Sequence, residues 1–355
     1  ITKPITLNIG KKSGVFGNDG IIDVININLT TITARSAHKM VAIETDIYIF
    51  GGYNDTSILN DFYKIDITTN TATLITEDDG FDSSIGVRTA HTMVAIGTDI
   101  YIFGGLSRND SGYNKYLNDF YKIDTTTCNV TEITANGFDS SIGERYGHTM
   151  VAIGTDIYIY GGKNLTTYYN DLFKIDITTN TVTSITVTNI TKRFYHSMVA
   201  IGTDIYIFGG SIGTSSSDYL KDFYKIDITT NTVTQITGTN ISERYGHTMV
   251  AIGTDIYIYG GYNYTSSILN DFYKIDTIKY NIVYNDDSLN PITKRYIHSM
   301  VVIENDIYIY GGDNGGTQEL NDFYKITGYD SYFTGDIADL RLYNYSNADI
   351  TTIYT

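Results

Sequence analysis

The segment Glu144–Gly162, ERYGHTMVAIGTDIYIYGG, returns almost unchanged at 243–261 and with substitutions at 35–52, 88–105, 193–210 and 295–312. Six copies of one unit constrain the chain more than any single residue does. A copied unit of this size cannot bury its apolar face alone, so successive copies must stack and supply each other's core. The arginines at 35, 88, 145, 193, 244 and 295 set the register, with spacings of 53, 57, 48, 51 and 51.

Four strand signals recur in each unit. Strand a has the form His148–Ile153; a turn holding Gly154, Thr155 and Asp156 leads to strand b, Ile157–Tyr160, closed by Gly161–Gly162. Strand c reads DFYKID, as at Asp271–Asp276, and a TTNT turn leads to strand d, as at 181–186. Asn70, Asn180 and Asn231 occupy the hairpin position that needs a left-handed backbone, which Asn tolerates. Strands a and b are apolar on both faces (MVAI, IYIY), which predicts sheets covered on both sides by neighbours. Sheets of four antiparallel strands arranged radially about an axis satisfy that pattern and leave few exposed edges.

An Arg, a His three residues later, a D-I-Y-I-[FY]-G-G strand end and a following strand c resemble the kelch repeat, over roughly residues 28–327. The resemblance implies an all-β, six-bladed kelch-type propeller with four antiparallel strands per blade. One departure is that the kelch tryptophan expected on strand d is missing everywhere. The sixth unit supplies strands a to c but no strand d. Asn28–Thr33 (NLTTIT) is expected to close the ring, with Asp349–Thr355 as the rival donor. Residues 1–27 and 328–355 flank the propeller as a small accessory β segment. Their runs at Ile9–Val24 and Phe333–Asn344 resemble the last strands of laminin-G/concanavalin-like jelly rolls. The chain opens at Ile1, which predicts a processed product or a piece of a longer protein.

Bulk properties remove several classes. A formal charge of −16 argues against a nucleic-acid or anionic-membrane surface, since phosphate binding needs clustered Lys and Arg. The sequence holds no apolar run of membrane-spanning length. A single cysteine excludes an internal disulfide framework and argues against a Cys-based metal site.

All six histidines (His38, His91, His148, His196, His247, His298) share one repeat position, as do six of the eight arginines (Arg35, Arg88, Arg145, Arg193, Arg244, Arg295). Two axial rings follow. An anion-binding mouth or a histidine metal site competes with a structural bond copied into every blade. The structural reading is favoured, because catalysis and metal ligation need a few unlike residues converging. The turn acids Asp46, Asp99, Asp156, Asp204, Asp255 and Asp306, and the acids opening strand c, Asp61, Asp119, Asp171, Asp222, Asp271 and Asp322, are expected to cap backbone N–H groups. Cys128 holds the turn-Asn position of the second unit and is expected to be exposed, which argues against a copper-radical oxidase. No cofactor, metal or catalytic residue is expected.

The units differ in the loops between strands b and c and between d and a, which share one rim. There Tyr53, Tyr113, Tyr116, Tyr168, Tyr169, Tyr219, Tyr262 and Tyr264 predict an aromatic, polar surface suited to protein or glycan partners. Sequons at Asn28, Asn54, Asn109, Asn129, Asn164, Asn189, Asn240, Asn263 and Asn344 are possible N-glycosylation sites in a secreted chain. The expected function is a non-enzymatic binding or structural module on a cell or particle surface, extracellular, self-associating through residues 1–20 and 329–355. The alternatives are an intracellular (cytoplasmic) kelch adaptor for protein–protein interaction and a sugar-active propeller enzyme such as a sialic acid mutarotase.

Overall fold

The computed structural model describes residues 23–327, apart from 30, 109–110, 135–141, 214, 216–217, 265–266, 287–288, 290 and 317. Residues 1–22 and 328–355, which hold nearly all of the terminal segments expected to form a jelly-roll-like sheet and to self-associate, lie outside the described residues, as do Asn109 and the rival donor strand Asp349–Thr355. Within Val24–Ile326, one compact unit, there are six four-stranded sheets. Blade 3 is typical: Thr149–Ile153, Asp156–Tyr160, Leu172–Asp176 and Thr181–Ile185 pair antiparallel in chain order. The fold is a six-bladed all-β propeller.

Strand b is buried along its apolar residues: Ile157, Tyr158, Ile159 and Tyr160 are each 3% exposed or less. The two faces of a blade meet different neighbours. Val151, Tyr158, Tyr160 and Leu172 of blade 3 pack on Met198, Ile205, Ile207 and Tyr224 of blade 4. This is why the MVAI and IYIY runs do not alternate with polar residues. Strand d, by contrast, is half exposed (Thr181–Ile185). Its Thr, Val and Ser leave the packing to strands b and c, which absorbs the missing tryptophan.

Closure differs from expectation in one strand. The fourth strand of blade 6 is Asp23–Ile27, which pairs with Phe323–Thr327, and not Asn28–Thr33. The propeller thus begins ahead of the expected boundary at residue 28. The described residues of 28–33 instead lie on the connection into blade 1, with Leu29 and Ile32 buried. Ile32 is the first of six isoleucines three residues before the arginines; Ile85, Ile142, Ile190, Ile241 and Ile292 are the others, all nearly fully buried. NLTTIT alternates like a strand, but its isoleucine belongs to this loop register. The seam has the same chemistry as the internal interfaces, with Val301, Ile303 and Tyr308 of blade 6 against Met40, Ile47 and Ile49 of blade 1.

The Gly-Gly ending strand b is dictated by blade-to-blade approach. At Gly161 (φ 66) a Cβ would lie 2.6 Å from the Arg193 carbonyl oxygen of the next blade. At Gly162 it would lie 2.7 Å from the His148 Cβ of its own blade.

Candidate functional site

The six arginines are buried at 0–1% exposure, and each is clamped within its own blade. Arg193 donates from Nη1 to the Gly209 carbonyl (2.9 Å) and to Asp222 Oδ1 (2.8 Å), and from Nη2 to Asp222 Oδ2 (2.9 Å). Its guanidinium also lies 5.4 Å from the Tyr224 ring centre. Arg35, Arg88, Arg145, Arg244 and Arg295 repeat the fork with Asp61, Asp119, Asp171, Asp271 and Asp322. Each arginine of the ring is therefore paired with an aspartate of its own blade. The acids opening strand c do not cap backbone N–H groups as expected; a bidentate guanidinium outcompetes an amide for a carboxylate. The a–b turn acids depart likewise, Asp46 and Asp156 pairing with Lys64 and Lys174 at 2.6 Å. Capping falls to the acid that ends strand c: Asp176 Oδ1 accepts from Thr178 N (2.8 Å) and Thr179 N (3.2 Å).

The six histidines are buried too, each packed edge-on against the last aromatic residue of strand b in the preceding blade, as His196 on Tyr160 at 5.5 Å. Burial first, then the adjacent arginine, holds all six well below the usual histidine pKa, so they are neutral. In three blades the first residue of strand a fixes the next ring: Thr92, Thr149 and Thr248 place a hydroxyl 2.6–2.7 Å from Nε2 of His148, His196 and His298. Ser197 and Ser299 donate instead to the carbonyl oxygens of His247 and His38. Blade 1 carries Lys39 at that position. All six methionines (Met40, Met93, Met150, Met198, Met249, Met300) follow one residue later and line the channel. Among the described residues no three His, Cys, Asp or Glu side chains are placed to hold a metal.

A ring of backbone hydrogen bonds encircles the axis. Ala90 N donates to Ala37 O, Gly147 to Ala90, Tyr195 to Gly147, Gly246 to Tyr195, Ile297 to Gly246 and Ala37 to Ile297, at 2.6–2.9 Å. Each of the six residues has a left-handed backbone (φ 46–66). Gly suits that geometry at two places, whereas Tyr195 and the β-branched Ile297 are costly there. The last bond joins the final blade to the first. Cys128, expected to be exposed, is partly buried against the interface of blades 1 and 2, and burial pushes its thiol pKa up.

The variable rim holds an aromatic arc. Tyr116 stacks on Tyr146 (5.7 Å), which meets Phe194 and Tyr195; Tyr195 meets Tyr245, which meets Tyr219, Tyr262 and Tyr296. Tyr168 joins it at Phe194. Of the expected residues, Tyr116, Tyr168, Tyr219 and Tyr262 thus come together. Tyr169 packs on Arg145 (4.3 Å) and serves the scaffold. Tyr53 donates to the Asp55 carbonyl outside the arc, while Tyr113 and Tyr264 are 73% and 64% exposed. Sequence reading missed Tyr146, Phe194, Tyr195, Tyr245 and Tyr296, which sit inside the repeated R-x-x-H. The available signal was that these positions differ between units: Ser36-Ala37 and Thr89-Ala90 occupy them in blades 1 and 2.

Charge divides the arc. Lys163 lies over Tyr168 (4.4 Å) and Phe194 (5.2 Å) and donates to the Tyr168 hydroxyl, with Lys192 alongside. Across the rim, Asp55, Asp313 and Glu319 form an acidic end; Tyr296 donates to Asp313 at 2.7 Å, and burial pushes the Glu319 pKa up to about 7. The loop asparagines have turn roles. Asn54 and Asn164 accept from Ser57 N and Thr167 N, Asn189 and Asn240 take left-handed conformations, and Asn28 and Asn129 are exposed. Asn263, at 2% exposure, has no room for a sugar in this conformation.

No helix among the described residues is long and apolar enough to cross a membrane. The solved structure of YjhT superposes with a TM-score of 0.69 over 85% of this chain and 99% of that one, at 15% identity, a likeness of fold alone. Human Kelch domain-containing protein 10 is 27% identical over 311 residues, 76% of this chain and 66% of that protein. The Drosophila melanogaster homolog of leucine-zipper-like transcriptional regulator 1 is 24% identical over 312 residues, 82% of this chain and 31% of that protein. Tip elongation aberrant protein 1 of Schizosaccharomyces pombe is 29% identical over 145 residues, 41% of this chain. The chain spans about two thirds of the first of these relatives and 12% of the yeast protein. The profile of the KLHDC2/KLHL20/DRC7 Kelch-repeats domain matches residues 19–141, 90–242 and 195–329, and with the arginine forks and six closed blades this places the chain in the kelch-repeat family.

Proposed function

We propose that the chain is a non-enzymatic protein-binding module that engages its partner through the aromatic arc on the variable rim. One observation carries the reading. The arginine forks, histidine contacts and turns repeat blade by blade, whereas the arc runs from Tyr116 to Tyr296 and is missing over the Ser36-Ala37 and Thr89-Ala90 side. A one-sided aromatic face ended by Lys163 and Lys192 on one side and by Asp55, Asp313 and Glu319 on the other suits an oriented polypeptide with an apolar centre and charged flanks. Tyrosines of this kind supply large contact area at small entropic cost. The kelch relatives support the adaptor setting over surface display, and they lend no support to glycan binding or self-assembly. The buried histidines and the aspartate-paired arginines are engaged within the scaffold, which supports a binding role for the rim over chemistry at these two rings.

The test is selection of protein fragments from a display library against the folded chain. Selected fragments should lose at least tenfold in affinity for Tyr146→Ala or Tyr245→Ala and none for Thr230→Ala on the opposite rim. Binders that map to the constant rim, or that ignore both tyrosines, overturn the proposal.

A further inference from the structure

Lys39 breaks the symmetry of the channel. At its position the other five blades carry Thr92, Thr149, Ser197, Thr248 and Ser299, each bonded to the next blade's histidine through its ring or its carbonyl. Lys39 has no hydrogen bond or ion pair among the described residues. Its neighbour His91, 0% exposed, has both ring nitrogens unpartnered, as do His38 and His247, which follow the two serines. Both line an axial cavity of about 170 Å³, room for roughly five waters. The remaining lining is hydroxyl, imidazole, thioether and small apolar groups, with no carboxylate. The titratable groups that line the cavity with Lys39 are His91, His148, His196, His247 and His298, held neutral by burial, and Tyr195, whose pKa burial raises; His38 is its chain neighbour.

We infer that this cavity is a binding site for a small inorganic anion, held by the Lys39 ammonium together with an N–H of His91. The charge argument is local. The chain is strongly acidic as a whole, but its buried arginines are matched one to one by aspartates, so Lys39 is the one channel cation without a counter-charge among the described residues. Lys39 is partly buried, so its ammonium is incompletely hydrated and has no ionic partner, and an anion beside it offsets that cost. Desolvation lowers the Lys39 pKa to about 8, so the site holds its charge at neutral pH and loses it above that.

The experiment titrates chloride and phosphate, each at constant ionic strength, into the full chain. Calorimetry and the ¹⁵N signal of the Lys39 ammonium are followed, with Lys39→Thr and Lys39→Arg as comparisons. Lys39→Thr restores the residue of three other blades and should fold. The expected result is saturable binding of at least one anion, a loss of ten-fold or more in Lys39→Thr, retention in Lys39→Arg, and about ten-fold weakening per pH unit above 8. Equal binding by wild type and Lys39→Thr, or none by wild type with either anion, overturns the proposal.

Discussion

Acidification should unfold this propeller for a reason that can be counted. The six histidines are buried and neutral, held well below their ordinary value of 6.5. In the unfolded chain they titrate near 6.5. Below that pH the unfolded state therefore binds more protons, and stability falls as pH falls. Moving from pH 7.5 to 5.5 costs about 1.4 kcal/mol per histidine, or about 8 kcal/mol for six. Glu319 acts the other way. Its pKa is raised to about 7, so the folded state binds its proton first, and acidification returns at most about 2 kcal/mol. The histidines win, with a net loss of about 6 kcal/mol against a typical total of roughly 5–15. With no tryptophan and 33 tyrosines, circular dichroism in urea is a suitable probe. The slope of stability against pH near 5.5 should correspond to an uptake of about 4 to 5 protons on unfolding. An uptake below about two would refute the claim that the rings stay neutral in the fold.

Asp222→Asn keeps the shape of the fork but leaves Arg193 charged and buried; it should cost about 3–5 kcal/mol by urea denaturation, whereas replacing both partners by apolar residues should cost far less. Equal losses would contradict the pairing. Gly161→Ala puts a Cβ 2.6 Å from the Arg193 carbonyl at φ 66, and a loss of about 3 kcal/mol is expected in the same assay; a neutral result would mean that blade spacing is slack. Glu319→Gln should remove the stability lost as pH rises from about 4.5 to about 7, steepening the net acid sensitivity; an unchanged pH profile would show that this carboxyl is solvated.

The repeat made the blade count, the strand order and the left-handed turn residues Asn70, Asn180 and Asn231 legible in the amino-acid sequence. A copied unit repeats its hydrogen bonds along with its residues. Two features were obscured for physical reasons. NLTTIT has a strand's alternation, and only its alignment with the other I-x-x-R segments assigns it to a loop, since local pattern cannot tell a buried loop isoleucine from a strand isoleucine. The partners of the carboxylates were hidden as well, because Asp222 and Arg193 meet through the sheet register and not through sequence proximity. The aromatic arc was half legible. Loop tyrosines announced the rim, but Tyr146, Tyr245 and Tyr296 lay within the motif that marks the scaffold. The axial hydrogen-bond ring had no sequence signal beyond two glycines, since Ala37, Ala90, Tyr195 and Ile297 give no hint of a left-handed backbone.

Every reading of the rim and the channel depends on six blades closed into one ring, and the amide protons of Ala37, Ala90, Gly147, Tyr195, Gly246 and Ile297 report on that closure directly. Native-state hydrogen exchange should show all six protected alike and opening only with global unfolding, Ala37 included, because its bond to the Ile297 carbonyl joins the last blade to the first. Fast exchange at Ala37 and Ile297 beside slow exchange at the other four would mean that the ring is open at the seam, and would contradict closure.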